Sequence, residues 1–350
     1  MHEKRARTFA EADRWLKEQS ASIVRNDHVA PRRAEMTFGV WAEQSMAAMV
    51  HLKPKTLAGY RSLLDARVLP KWRDVKLARI ANADIAAWVA ELRSDGLSAS
   101  RTRQCYHLLS SMLDGAVRDR RMATNPASGV KLPKMPTKQR RYLDHKQLEE
   151  LAAECGPYRV LVLVLGYGGL RYGEATALRV RNVNPMRGRL SIVEAVVEVH
   201  GELIFGAPKT HQHRDVVVPA FLRDELTAQI AGKGPTDLVF DQDGAVLRNH
   251  RFRRGWFDIA AAKAGLEGLV PHELRHTAAS MAIAAGASIK AVQAMLGHAT
   301  ATLTLDLYGH LYPDELDEVA RRMDAARSAM RAPSGQNVVS LPSAPDENSL

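Results

Sequence analysis

Cysteine is scarce: Cys105 and Cys155 are the only two in 350 residues, and they lie far apart without metal-type spacing. That argues against a disulfide framework or a zinc ribbon and leaves two ordinary thiols. Long apolar runs are missing too. No stretch of about 18 apolar residues is available to span a bilayer, and the opening MHEKRARTF has no apolar signal core. No amphipathic or lipidated anchor holds the chain to a membrane surface, so a membrane partner is not expected. No internal repeat is apparent.

What is present is positive charge, unevenly placed. The formal net charge is +10, yet residues 1–141 carry 27 Lys and Arg against 14 Asp and Glu, while 142–350 carry 22 against 25. The first part reads as a polyanion-binding module and the second as a more balanced one. At this length and 46% hydrophobic content the chain suggests two or three domains.

The periodicity supports that division. Phe9, Ala12, Trp15 and Leu16 have helical spacing within 8–20, and 24–33 reads as a linker. From Thr37 to about Pro126 the apolar period stays near 3.6 residues through four segments separated by turns at Pro54, Pro70 and Gly96, which predicts a bundle of about four helices. Lys53, Lys55, Arg61, Arg101, Arg103, Arg118, Arg120 and Arg121 gather near the helix ends, where they suit phosphate contact. The next stretch is punctuated by proline and carries Lys131, Lys134, Lys138, Arg140 and Arg141 with no acid, so it reads as a basic linker. Helical patterns follow, with Asp144 as an N-cap. Over 189–218 the pattern turns β-branched, with connections at 200–201 and 208–213, and predicts a small antiparallel sheet. Helices resume near Ala220, and the last twenty residues have the composition of a disordered tail.

The second part holds residues able to build one site for a negatively charged reaction. Arg171 follows the Gly-Gly break in GYGGLRYGEATAL, at the rigid start of a new helix. Lys209 stands in the PKTHQHR connection between two predicted strands. In PHELRHTAAS, His272, Arg275 and His276 fall at i, i+3 and i+4, on one helix face. The same stretch spells H-E-x-x-H, a zinc-protease signature, but that reading lacks a third ligand and leaves the basic helical part unexplained. His298 follows a Leu-Gly helix end, and Tyr308 and His310 come next in LGHATATLTLDLYGHL.

Together these boxes, with LKPKTLAGYRSLL and ATNPA in the first part, resemble the tyrosine recombinases, specifically the phage and mobile-element integrases, over about Thr37 to Arg331. The resemblance implies a mainly α fold with a small antiparallel β-sheet. It divides the chain into a basic segment at 1–35, which is either a remnant of an arm-binding domain or the end of one whose start codon lies upstream, a helical SAM-like core-binding domain at 36–127, a basic linker at 128–141, a mixed α/β catalytic domain at 142–331, and a disordered tail at 332–350. Roles pass to Arg171 and Arg275 as the two arginines, Lys209 as the hairpin lysine, His272 as partner of Arg275, His298 as the His-or-Trp position, and Tyr308 as nucleophile. Glu174 matches a supporting acid, and His276 is expected to fasten its helix. Tyr312 is a rival nucleophile, but the family's Tyr-x-His pattern falls on Tyr308 and His310.

The implied chemistry is cleavage and rejoining of duplex DNA at specific attachment sites through a 3′-phosphotyrosyl link, with no metal, ATP or other cofactor. Two guanidiniums would hold the phosphorane, Lys209 would protonate the departing 5′-oxygen, and His272 together with the cationic site would activate the phenol. The implied partners are a tetramer of this chain on synapsed DNA and an excisionase or host DNA-bending protein; the implied location is cytoplasmic, with the nucleoid. Leu316, Val319 and Met323 form an apolar face on a terminal helix, which leaves docking on a neighbouring subunit and packing in cis both open. A helix like that at 8–20 ends the arm-binding domain in this family, yet the strands that normally precede it are not in the sequence, so arm-site binding is in question. A type IB topoisomerase and a DNA-binding relative without activity are the alternatives.

Overall fold

The computed structural model describes residues 8–11, 13, 14, 17, 35–136, 141–208, 213–312 and 316–331. The helix expected over 8–20 and the linker at 24–33 lie largely outside the described residues, and the 332–350 tail entirely so. The helices read from the first half are present: α1 (Phe38–Ala48), α2 (Pro54–Leu63), α3 (Leu69–Trp72), α4 (Asn82–Ser94) and α5 (Ala99–Arg118). Pro54 opens α2, where a missing N–H costs nothing. Pro70 does not end the helical run as expected. A π turn at Leu64–Val68 widens the backbone just ahead of it, with the Leu69 N–H donating to the Leu64 carbonyl, and the run continues to Trp72.

These helices close on Phe38, Leu64, Leu69, Ile85, Leu109 and Leu113, with Trp72 and Trp88 edge-to-face at 5.8 Å. The ATNPA turn is tied back to α5 by Asn125, whose Nδ2 donates to the Ser110 carbonyl (3.0 Å) and Asp114 Oδ1 (2.7 Å). The basic linker is less free than its composition suggests. Val130 and Leu132 pack on the helical core, and Arg103 donates to the Pro133 carbonyl at 3.3 Å. Residues 137–140 lie outside the description.

A second core begins at Leu143. Asp144 caps α6 (His145–Glu154) as expected: Oδ1 accepts the Gln147 N–H at 2.8 Å and Gln147 returns a carbonyl oxygen to the Asp144 N–H at 3.1 Å. Next come the apolar α7 (Arg159–Gly168) and the short α8 (Tyr172–Ala175). The predicted sheet is present but divided. β1 (Val183–Asn184), β2 (Arg189–Ile192) and β5 (Arg214–Val217) form one antiparallel sheet in the order β1-β2-β5, whereas β3 (Ala195–Val199) and β4 (Glu202–Gly206) form a separate hairpin. The run breaks between Ile192 and Ala195, where Glu194 accepts Arg179 Nε at 2.6 Å. The hairpin turns on His200 (φ 50°) and Gly201 (φ 85°), the left-handed pair that a two-residue connection requires.

After α9 (Leu222–Ile230) comes a tiny hairpin, β6 (Asp241–Gln242) with β7 (Ala245–Val246), whose two-residue strands are too short to leave an alternating pattern. Then α10 (Asn249–Phe252) runs through another π turn into α11 (Asp258–Lys263). α12 (Pro271–Ala284) lies along α7, and α13 (Ile289–Leu296) and α14 (Ala301–Tyr308) close a third cluster of Ala279, Ile283, Val292, Leu296 and Tyr308. The final helix, α15 (Leu316–Arg331), is exposed over 320–328, and Met323 on its apolar face is 68% exposed. Among the described residues no helix is long and apolar enough to cross a membrane.

Candidate active site

Two glycines aim the arginines. Gly169 ends α7 in the left-handed region (φ 66°) and turns the chain so that Arg171 becomes the N-cap of α8. Gly297 ends α13 the same way (φ 63°), and a Cβ there would stand 2.9 Å from Cδ of Arg214. The carbonyls beside these bends then hold the second arginine. Arg275, 3% exposed on α12, donates from Nη1 to the Gly169 carbonyl and from Nη2 to the Leu296 carbonyl, each at 2.6 Å. A guanidinium has five N–H groups, so two bonds lock its plane and others remain to meet an anion.

Glu174 organises the other side. It is 1% exposed, and it accepts the Arg171 N–H (2.9 Å), Arg171 Nη1 (2.8 Å), and Arg214 Nη2 and Nη1 (2.6 and 3.2 Å). Burial pushes its carboxyl upward, but the hydrogen bonds and charges of Arg214 and Arg171 outweigh this and hold it below the usual range. Arg214, whose Nε also donates to the Met295 carbonyl at 3.1 Å, was not among the residues picked out by motif. Its signal was register: in RDVVV it shares a strand face with the buried Val216, an inward position where an unpaired charge is costly.

One carboxylate among three guanidiniums leaves the site cationic. Burial first, then the charges of Arg171 and Arg214, pull Arg275 down to about 9 against the opposing pull of Glu174 and Tyr308. His298 is 7% exposed, and burial followed by Arg275, Arg171, Arg214 and His276 lowers it to about 4. It is therefore a neutral imidazole at neutral pH. Its Nδ1 lies 3.0 Å from the Thr304 hydroxyl, and in the tautomer that accepts the hydroxyl proton there, the N–H sits on Nε2, where it can bond a phosphate oxygen.

Because this folded pKa lies below the unfolded value near 6.5, the stability it contributes is present above that value and is lost as the pH falls toward 4. Urea melts of the native protein and of His298→Trp should diverge across that window, the native chain losing about 3 kcal/mol more. Parallel curves would refute the assignment.

Tyr308 closes α14 with 1% exposure, its ring parallel to that of His298 at 6.4 Å. Its hydroxyl lies 2.8 Å from Nδ1 of His276. The histidine expected to fasten its helix thus reaches the tyrosine, whereas the exposed His272 meets His276 edge-on at 5.4 Å. Glu273 folds back to accept the Val270 N–H at 3.0 Å as a helix cap, so the carboxylate of the H-E-x-x-H string is engaged away from any metal chemistry. Among the described residues no group of three or more His, Cys, Asp or Glu could hold a metal. Lys209 lies outside the described residues, between the ends of β4 and β5. Tyr312 has a buried hydroxyl with no hydrogen-bond partner among the described residues, and burial raises it.

The basic residues of the helical part have varied surroundings. Lys53 and Lys55 donate to the Pro208 carbonyl (3.3 Å) and the Glu198 carbonyl (2.6 Å) across the two cores. Arg61 is paired with both oxygens of Glu43 (2.8 and 2.7 Å), the first cause of its upward shift. Arg121 bonds Asp119 at 2.6 Å and lies 4.9 Å over the Trp41 ring. Arg101 donates to Gln104 at 3.1 Å, and Arg118 and Arg120 sit at the end of α5.

Known proteins resemble this chain in sequence and fold. The chain is 29% identical over 313 residues to the prophage phiRv2 integrase of Mycobacterium tuberculosis, covering 84% of this chain and 81% of that one. It is 26% identical over 298 residues to the tyrosine recombinase XerD of Proteus mirabilis, covering 79% and 87%. Its fold matches the Tn1549 transposon integrase, solved in complex with a circular intermediate DNA, with a TM-score of 0.70 at 18% identity over 85% of this chain and 99% of that one. Residues 141–315, which span Arg171, Glu174, Arg214, Arg275, His298 and Tyr308, match the phage integrase family, and the chain belongs to that family.

Proposed function

We propose that this protein breaks and rejoins duplex DNA at specific sites, forming a 3′-phosphotyrosyl intermediate through Tyr308, to integrate or excise a phage or other mobile element. The observation that carries the reading is the buried Arg275 beside Arg171 and Arg214, three guanidiniums with the single carboxylate of Glu174 among them, next to a buried tyrosine hydroxyl. Such a cluster is unfavourable when empty and suits the charge that develops on a phosphodiester under attack.

In this reading Arg171 and Arg275 bind the non-bridging oxygens, neutral His298 and the exposed His272 add hydrogen bonds, and Glu174 and Arg214 hold the arginines in place. Tyr308 attacks phosphorus and Lys209 protonates the departing 5′-oxygen, a far stronger base than the phenolate. The bond energy stays in the phosphotyrosine, so rejoining requires neither ATP nor a metal. Residues 36–127 act as the core-binding domain and 142–331 as the catalytic domain. They hold the duplex between them, with Lys53, Lys55, Arg61, Arg101, Arg103, Arg118, Arg120 and Arg121 the candidate phosphate contacts. The exposure of α15 favours docking on a neighbouring subunit over packing in cis, hence a tetramer on synapsed DNA; an excisionase or a host DNA-bending protein would set direction.

Nicked suicide duplexes carrying candidate attachment cores test this. Incubated with the protein in EDTA, they should yield a covalent adduct that resists SDS and is lost on proteolysis. Relaxation without site preference would favour a type IB topoisomerase activity, and DNA binding with no adduct on any core would favour an inactive relative.

A further inference from the structure

We propose that His276 is a catalytic residue, the group that takes the proton from Tyr308 during cleavage and returns it during rejoining. This rests on the reading of Tyr308 as nucleophile. A phenol with an ordinary pKa near 10 is a weak nucleophile at neutral pH unless its proton has somewhere to go, and geometry is the first requirement of a base. His276 Nδ1 lies 2.8 Å from the hydroxyl, with the rings 5.7 Å apart and inclined at 58°. The half-buried imidazole sits in the middle of α12, directly after Arg275, whose two carbonyl bonds anchor that turn of the helix. Both reacting atoms therefore ride on packed helices, so little reorganisation is needed.

The neighbouring histidines are worse suited. His298 bonds Thr304 through Nδ1, its ring lies parallel to the tyrosine ring, and it is buried among arginines that disfavour proton uptake. His272, the residue expected to activate the phenol, is exposed and meets the His276 ring at 76°.

The step balances without a co-reactant. As Oη–P forms, the Oη–H proton passes to Nδ1 of a His276 protonated on Nε2, giving an imidazolium, while P–O5′ breaks and O5′ takes its proton from Lys209. On rejoining, the 5′-hydroxyl gives its proton back to neutral Lys209 as O5′ attacks phosphorus, the P–Oη bond breaks, and the imidazolium returns its proton to Oη. Among the described residues, the charged and titratable groups around the pair include His272 and Arg275 on the same helix, His298 from the chain's later elements, and Arg171, Glu174 and Arg214 across the site. The extra positive charge on His276 would be offset by the charge gained on the phosphorane.

Single-turnover cleavage of a suicide duplex between pH 6 and 9.5 tests this with His276→Ala and His276→Gln, each checked for DNA affinity and thermal stability. The expected result is a 10²- to 10³-fold slower adduct formation at pH 7, with the deficit narrowing as the pH climbs toward the phenol's own pKa. His272→Ala should not show that narrowing. With a bridging 5′-phosphorothioate, which leaves without protonation, the His276 deficit should persist while that of Lys209→Ala is rescued. A native rate in both His276 variants, a deficit equal at every pH, or one erased by the phosphorothioate would overturn the proposal. An adduct formed by Tyr308→Phe would instead overturn the nucleophile assignment beneath it.

Discussion

Replacing Tyr308 by phenylalanine is expected to abolish the covalent DNA adduct, a loss of roughly 10⁴-fold or more, since removal of a nucleophile leaves only binding and charge stabilisation. The ring should still fill its place between His298 and the third core cluster, so folding should survive. Loss of the hydroxyl's hydrogen bond to His276 costs about 1 kcal/mol. DNA affinity, read by gel shift in the same samples, should therefore change little. Tyr312→Phe serves as the control. Its hydroxyl is buried without a partner among the described residues, and the adduct should form at the native rate. Loss of the adduct with Tyr312→Phe and its survival with Tyr308→Phe would move the nucleophile four residues on.

Arg275 carries the second large effect. Arg275→Lys keeps a positive charge but cannot span the Gly169 and Leu296 carbonyls, 2.6 Å away on either side, while also presenting N–H groups to phosphate. The rate of adduct formation is expected to fall about 10³-fold or more. Stability should fall much less, because losing a hydrogen bond to a buried carbonyl costs about 1–3 kcal/mol while burial and the neighbouring arginines already work against the charge of Arg275. A phosphate analogue makes the distinction sharper. Orthovanadate or sulfate should raise the melting temperature of the native protein, and should raise that of Arg275→Lys less, because the anion relieves the repulsion among three guanidiniums. Equal shifts in both proteins would mean that the anion binds elsewhere.

Much of this site could be read along the chain because its parts are local. The Gly-Gly break before Arg171, the helical spacing of His272, Arg275 and His276, and the Leu-Gly end before His298 are short-range statements about turns and helix faces, and each forms in the structure where its own residues dictate. The same holds for the cap at Asp144 and the His200–Gly201 turn. Pro70 shows where local reading stops. Proline argues for a helix end, and only a π turn stabilised by Leu64 and Val68 in the core allows the chain to continue.

Partnership was the other thing that local chemistry left open. Spacing put His272 and His276 on one face equally, and the packing of α14 against α12 gave the tyrosine hydroxyl to His276. Nothing in RDVVVPA announces that Arg214 will meet Glu174, forty residues earlier, and the Met295 carbonyl, 81 residues later. Helix and turn formation depend on neighbours within a few residues, so composition and period determined them here. The cationic cluster depends on which carbonyls and carboxylates converge after α7, α12 and α13 have packed, and burial in that packed core is what turned ordinary side chains into a site with shifted proton affinities.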